Sequence, residues 1–226
     1  MITCEQVRRE FRGPQGTVRG LDSFSLTVAR GEFVVVQGSS GSGKSTLLLT
    51  LGGMLRPNSG TVTVDGTNLY ALNGAERSRL RARSIGFVFQ LFHLVPYLTV
   101  RENVLTGLPG SVDTTARQAA AHWLEQLGLT ARADHRPSTL SAGERQRAAL
   151  VRALIKNPAV ILADEPTGNL DPENAAVVFR QLDAYRRQGG TVVVVTHGSD
   201  ATPFASRCLR LERGRLQSDQ PIPRSP

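Results

Sequence analysis

Cysteine is nearly absent from this chain of 226 residues. Cys4 and Cys208 stand far apart, with no CxxC pair and no Cys/His cluster, which excludes a disulfide framework and a thiolate zinc site. Both fall in strand-like stretches and read as buried apolar residues of a reducing cytoplasm. Aromatic residues are scarce at 5%, and the densest basic stretch, Arg77, Arg79, Arg81 and Arg83, has none interleaved to stack bases. Long apolar runs are missing as well. The densest, residues 33–36, 159–163 and 192–195, fall far short of the roughly 20 residues that cross a bilayer. The first ten residues carry Glu5, Arg8 and Arg9 and no apolar stretch of signal-peptide length, so export is not expected. Acidic side chains are outnumbered, 19 against 27 Lys and Arg, and the net charge of +8 leaves three kinds of partner open: nucleic acid, an anionic membrane surface or phosphate ligands.

What is present is an ordinary folded composition, 40% hydrophobic and 20% charged, at a length suited to one large domain. Phe24, Leu26 and Val28 alternate with polar neighbours, and residues 61–65 repeat that period before an Asp65-Gly66 turn, so an antiparallel layer is expected. Residues 33–36 are an unbroken Phe-Val-Val-Val run, suited to a strand buried on both faces; 85–89, 160–163 and 191–195 are further candidates, and together they imply a parallel sheet. The middle of the chain changes character. Ala116, Ala120, Trp123, Leu124 and Leu127 recur near helical spacing. Ser141-Ala142-Gly143-Glu144 is a capping box ahead of Ala148, Leu150, Val151, Leu154 and Ile155, with a stop near Asn157-Pro158. The tail after Leu216 is polar and proline-rich and is expected to be a loose end.

Gly38-Ser39-Ser40-Gly41-Ser42-Gly43-Lys44-Ser45 matches GxxxxGK[ST] and lies between the apolar run and a helical stretch from Lys44, the frame a phosphate-binding loop requires. Its glycines let successive N–H groups curl toward phosphate oxygens, and the following helix adds the positive end of its dipole. Lys44 is then placed to neutralise the β and γ phosphates, and Ser45 to hold Mg²⁺. A second apolar run ends in Asp164-Glu165. Asp164 reads as the carboxylate sharing the metal, and Glu165 as the group that orients or deprotonates an attacking water. A bare Gly/Ser loop, and acids that merely cap the turn at Pro166, are the bland alternatives; the occurrence of both motifs in one chain weighs against them.

With these motifs the chain resembles the ABC ATPases. Leu140-Ser141-Ala142-Gly143-Glu144 is close to that family's LSGGQ signature, and six motifs stand in the family's order: the P-loop at 38–46, Gln90, the signature at 141–143, Asp164 with Glu165, Gly168-Asn169-Leu170-Asp171, and His197. The resemblance covers residues 1–216. It implies an α/β P-loop NTPase core with a mostly parallel sheet, an N-terminal antiparallel β layer and a helical subdomain. Core and β layer would take residues 1–90 and 157–216, the helical signature subdomain 91–156, and the loose tail 217–226. The implied activity is Mg-dependent hydrolysis of ATP to ADP and phosphate. Gly38, Ser39, Ser40, Gly41, Ser42, Gly43, Lys44, Ser45 and Thr46 would surround the phosphates, with Ser45, Asp164 and Gln90 at the metal. Glu165, His197 and Gln90 would form the catalytic group, His197 contacting the γ-phosphate or positioning Glu165. One copy lacks a complete site in this scheme. Ser141 and Gly143 of a second copy face the γ-phosphate, Asp171 communicates across the interface, and ATP closes a homodimer.

Some positions depart from the family pattern. Ala142 replaces a signature glycine and resists a φ > 0 backbone, Gly198-Ser199 follows His197 where an acid is common, and Phe11 stands near the place of the adenine-stacking aromatic, as a purine platform or as core. A narrower resemblance, carried by residues 85–99, by Glu102-Asn103-Val104 and by 163–171, is to the branch serving lipoprotein release, macrolide or peptide export and cell division. It implies a separate membrane permease docking near Gln90 to Tyr97, on an exposed groove holding Leu91, Phe92, Leu94, Val95 and Tyr97, and a place on the inner face of the cell membrane. The alternative is an ABC-head ATPase acting on nucleic acid, which the basic charge keeps open. Against it, the short stretch from Lys44 to Ser141 has no sustained heptads for a coiled coil, and the chain holds one cassette. A nonhydrolytic scaffold is opposed by the presence of both Glu165 and His197.

Overall fold

The computed structural model describes residues 1–14 and 16–223. The alternating N-terminal segments become β1 (Ile2–Gly13) and β2 (Gly16–Val28), a long antiparallel pair; the apolar run becomes β3 (Phe33–Gln37), and helix α1 (Lys44–Leu51) follows. β4 (Ser59–Val64) and the short β5 (Thr67–Asn68) meet at Asp65-Gly66, where φ is 49° and 78°, the backbone of a tight hairpin turn. These strands make one antiparallel sheet in the order β2-β1-β4-β5. The chain continues through α2 (Gly74–Ser84), β6 (Ile85–Phe89), α3 (Val100–Leu105), α4 (Thr114–Gln126), α5 (Ala142–Leu154), β7 (Val160–Asp164), α6 (Pro172–Arg187), β8 (Thr191–Thr196), β9 (Arg207–Glu212) and β10 (Arg215–Pro221). The second sheet runs β10-β9-β3-β8-β7-β6, parallel throughout except where β10 meets β9. The expected fold class, antiparallel layer plus largely parallel core sheet plus helices, is the one observed.

The unbroken apolar run of β3 has a direct cause. Side chains alternate across a strand, so Phe33 and Val35 enter one core with Leu124, Leu150 and Phe179, while Val34 and Val36 enter another with Leu47, Phe24 and Val62. All four are fully buried, and burying each contributes about 1.5–3 kcal/mol. Helix starts follow their caps: Asn73, Thr99 and Ser141 each close a capping box with Glu76, Glu102 and Glu144, opening α2, α3 and α5. The basic stretch lies on α2, which buries none of its residues.

Two expectations fail here. Residues 217–221 are not a loose end but continue β10, which pairs with β9 as far as Pro221↔Arg207, and Arg207 grips Asp219 through hydrogen bonds of 3.0 and 2.6 Å. An edge strand tolerates polar residues and a terminal proline, so its composition imitates a loop. Residues 224–226 lie outside the described part of the chain. Cys4 is buried, and burial pushes its thiol up to about 12, but Cys208 is half-buried and its Sγ donates to Gln37 Oε1.

The sheet register sets the place of chemistry. Gln37 at the end of β3 aligns with Thr196 at the end of β8, and Asp164 at the end of β7 aligns with Val195. The carboxyl ends of these parallel strands therefore open side by side at one edge, where α/β sheets bind ligands.

Candidate functional site

The loop between β3 and α1 is held open by its glycines. Gly41 and Gly43 have φ of 77° and 106°, and a Cβ on Gly43 would lie 2.1 Å from the carbonyl oxygen of Gly20. Gly38 is packed as tightly, its Cβ position 2.4 Å from Leu211 O. Ser42 is buried beneath the loop. Lys44 folds back over it, donating to the carbonyls of Gly38 at 2.7 Å and Ser39 at 3.1 Å, and its Nζ stands 3.8 Å from Glu165 Oε1.

Glu165 follows β7 with φ 45°, a left-handed conformation rare for a residue with a side chain, and its N–H donates to Val195 O at 2.9 Å. That turn aims its carboxylate at the end of β8. Oε2 accepts from Thr196 Oγ1 at 3.2 Å and from the His197 N–H at 3.4 Å, and lies 2.8 Å from His197 Nδ1. His197 thus contacts Glu165 directly, one of the two roles open to it from sequence. Burial holds the Asp164 carboxyl above its usual range, with the charge of Glu165 adding to this, while a hydrogen bond from Ser45 and the charge of Lys44 oppose it. A carboxylate penalised by burial gains from a cation at its side. The hydroxyl of Ser45 and the carboxylate of Asp164 are hard oxygen donors of the kind Mg²⁺ takes, and this pair fits that ion when phosphate oxygens and water complete the shell. Among the described residues no group of three or more His, Cys, Asp or Glu converges to hold a metal by itself.

Gln90 leaves β6 beside these acids. Its carbonyl accepts from Asn169 Nδ2 at 3.1 Å, and its amide nitrogen would be 2.9 Å from a Cβ on Gly168, so glycine there makes room for it. Beyond it the chain is strained: Phe92 and His93 both have positive φ, 61° and 50°, each costing about 1–3 kcal/mol. Arg152 of α5 holds that turn, donating to Phe92 O at 2.7 Å and to His93 O, while the Arg145 guanidinium lies 5.4 Å over the Phe92 ring.

One cleft of about 730 Å³ is lined by Phe11, Ser40, Gly41, Gly43, Lys44, Ser45, Thr46, Gln90, Asp164, Glu165 and His197. Gly38 and Ser39 border an adjoining hollow with His197. Phe11 is not core. It lies outside both hydrophobic clusters, 38% exposed, with the Arg9 guanidinium 4.8 Å from its ring centre. Ser141, Gly143 and Asp171 are absent from this cleft and stand at the starts of α5 and α6 instead. Ser141 Oγ accepts from Glu144 N and Glu144 Oε2 from Ser141 N, which leaves the N–H groups of Ala142 and Gly143 without an acceptor among the described residues. Two free amides on a helix start form an anion-binding end. Ala142 needs no positive φ, because it is the first residue of α5, so the strain expected of it does not arise.

Residues 21–168 match the ABC transporter family, and the LolD ATP-binding protein of the lipoprotein-releasing system from Bordetella pertussis is 49% identical over 96% of both chains. The chain belongs to the ABC transporter ATPases. LolD of Xanthomonas campestris pv. campestris is 46% identical over 98% of this chain and 94% of its own. The macrolide export ATP-binding/permease protein MacB of Chlorobium phaeobacteroides is 41% identical over 97% of this chain, a match spanning 34% of that longer protein. A dimeric ATP-binding cassette in a post-hydrolysis state, bound to ADP and Pi, has a TM-score of 0.92 at 34% identity, covering 99% of each chain. This ABC ATPase is an ATP-hydrolysing nucleotide-binding subunit.

Sequence reasoning missed several residues. Val18, Arg19 and Gly20 also line the cleft, and the pairing Phe11↔Val18 places the first opposite the aromatic. Pairing β1 with β2 as a hairpin is the signal that finds them. Asn174, which packs over Gly143, carries no sequence signal at all.

Proposed function

We propose that this ABC ATPase powers lipoprotein release or a related export step through a separate permease, hydrolysing Mg·ATP in a two-copy sandwich. The single observation that carries the reading is the division of the site: Ser141, Ala142 and Gly143 do not line the phosphate cleft, and the free amides of α5 meet no acceptor among the described residues, so one copy supplies each half. In this reading the amides of residues 38–46 and Lys44 bind the phosphates, and Phe11 offers its ring to the adenine. Ser45, Asp164 and Gln90 hold Mg²⁺, which when bound neutralises charge between the β and γ phosphates. Glu165 takes or orients the proton of the attacking water, with Thr196 and His197 fixing its carboxylate. Ser141 and Gly143 of the second copy meet the γ-phosphate, and Asp171 stands beside them at the start of α6.

Dimerisation then depends on the third phosphate, because binding to the closed state shifts association by mass action. On sizing chromatography with Mg²⁺, the Glu165→Gln variant is expected to run as a dimer with ATP and as a monomer with ADP. Equal dimerisation with both nucleotides, or none with either, removes the sandwich.

Among the described residues no helix is long and apolar enough to cross a membrane, so the proposed place on the inner membrane face requires a docking surface. Leu91 and Tyr97 are 70% and 73% exposed, the apolar residues most available to a permease. Phe92 and Leu94, also expected on that groove, are half-buried, Phe92 beneath Arg145 and Leu94 against the core. Leu91→Glu and Tyr97→Glu are expected to abolish copurification of the permease with ATP binding unchanged. Full copurification by both would place the docking surface elsewhere. A nucleic-acid role gains nothing from the site, since the basic helix α2 presents no stacking aromatics.

A further inference from the structure

We infer that Asn174 is a positioning residue that joins the anion-binding end of α5 to Asp171 of α6, so that both reach a second copy as one unit. The inference rests on the two-copy reading proposed above. Asn174 lies on the first turn of α6, half-buried, and its amide is used at both ends. Oδ1 accepts from Arg147 Nη1 at 2.6 Å, and Nδ2 donates to Asp171 Oδ2 at 2.7 Å; the Asn174 N–H gives Asp171 Oδ1 its own partner at 2.9 Å. These bonds hold the Asp171 carboxyl below its usual range, the backbone bond from Asn174 contributing most. The hydrogen-bond partner of Arg147 is this neutral amide, and its Nε is buried without an acceptor among the described residues. The amide therefore stands between a cation on one helix and an anion on the other, aligned so that each hydrogen bond polarises the next.

Gly143 completes the arrangement. A Cβ there would lie 2.4 Å from Asn174 Oδ1 and 2.5 Å from its Cγ, so the glycine of the signature is needed for the approach of Asn174, not for a special φ. The residue carrying one free amide is thus in direct packing with the side chain that fixes Asp171. Asparagine has the length for this and carries both a donor and an acceptor. Aspartate would keep the bond from Arg147 but face the Asp171 carboxylate with like charge. Leucine, of similar size, would lose both bonds.

A residue that only stabilised α6 would lower the melting temperature and leave association untouched. A positioning residue alters association between copies but not ATP binding to one copy. The experiment measures both in the Glu165→Gln background: affinity for a fluorescent ATP analogue at dilution, where monomers dominate, and the dimer dissociation constant with Mg·ATP. Asn174→Leu, Asn174→Asp and the smaller change Asn174→Ser are each expected to bind nucleotide like the parent and to dimerise roughly tenfold more weakly or worse, the scale of losing one charge-assisted hydrogen bond. Arg147→Met is expected to show the same loss, and the Arg147→Met, Asn174→Leu pair no more than either alone. Parent-like dimerisation by Asn174→Leu and Asn174→Ser overturns the inference. A parent that does not dimerise with ATP overturns the two-copy reading itself, a separate result.

Discussion

With Glu165 replaced by Gln, ATP is expected to remain bound and the closed dimer to accumulate, while phosphate release falls by about 10² or more, the range for losing a positioned general base. The substitution keeps the shape and leaves an oxygen to accept from Thr196 and His197, so the local geometry survives while the charge and the basic oxygen are lost. Its neighbour fails differently. Asp164, hydrogen-bonded by Ser45 and burdened by burial, is the carboxylate proposed to share Mg²⁺, so Asp164→Asn is expected to weaken the binding of Mg·ATP itself. Nucleotide affinity, dimer fraction and steady-state phosphate release, measured on both variants under one set of conditions, separate the two acids. Turnover near the wild-type rate in Glu165→Gln would transfer the water-orienting role to another group, His197 first.

Gly43→Ala is expected to be the most damaging change in the phosphate loop. Its φ of 106° strains any residue with a side chain, and the new Cβ would meet Gly20 O at 2.1 Å, a backbone atom that moves only if β2 moves. Strain and overpacking together cost roughly 2–6 kcal/mol. For a domain of this size that lowers the melting temperature by roughly 4–24 °C, and nucleotide binding is lost with the loop. Gly41→Ala is the control. Its φ of 77° is also left-handed, yet no atom lies within 4 Å of the added methyl, so the cost is strain alone, about 1–3 kcal/mol. Circular dichroism melts and titration with a fluorescent ATP analogue on the two variants test this. Equal destabilisation would mean that the contact with Gly20 does not matter.

Features that the chain announces residue by residue are legible in the amino-acid sequence alone. The apolar run at 33–36 has to be buried on both faces, the capping box at Ser141 has to open a helix, and the phosphate loop has to follow the first of these. What the sequence hides depends on contacts between distant segments. The polar strand 217–221 resembles a loose end until β9 is placed beside it. Phe92 and Leu94 read as exposed because nothing in their own segment shows that Arg145 and the core cover them. The backbone penalty expected at Ala142 vanishes once that residue begins the helix. Gly143 owes its identity to Asn174, a residue 31 positions away in sequence and on another helix. Phe11 reads equally as core or as cleft, and only its partner strand decides the matter.

Helix α5 carries Ser141 at one end and, through Arg152, the strained turn at Phe92 and His93 near the other. Its 13 residues make a rod of about 20 Å that resists bending far more than the turn it grips. In the proposed reading, a partner acting on residues 91–97 would reach α5 through Arg152. Thermodynamic linkage makes the traffic symmetrical: if gripping Ser141 changes the affinity of a partner for Leu91 and Tyr97 by some factor, that partner changes the grip on Ser141 by the same factor. A permease seated on the loop and a nucleotide seated against the signature, as proposed above, would then report on each other's occupancy without sharing an atom.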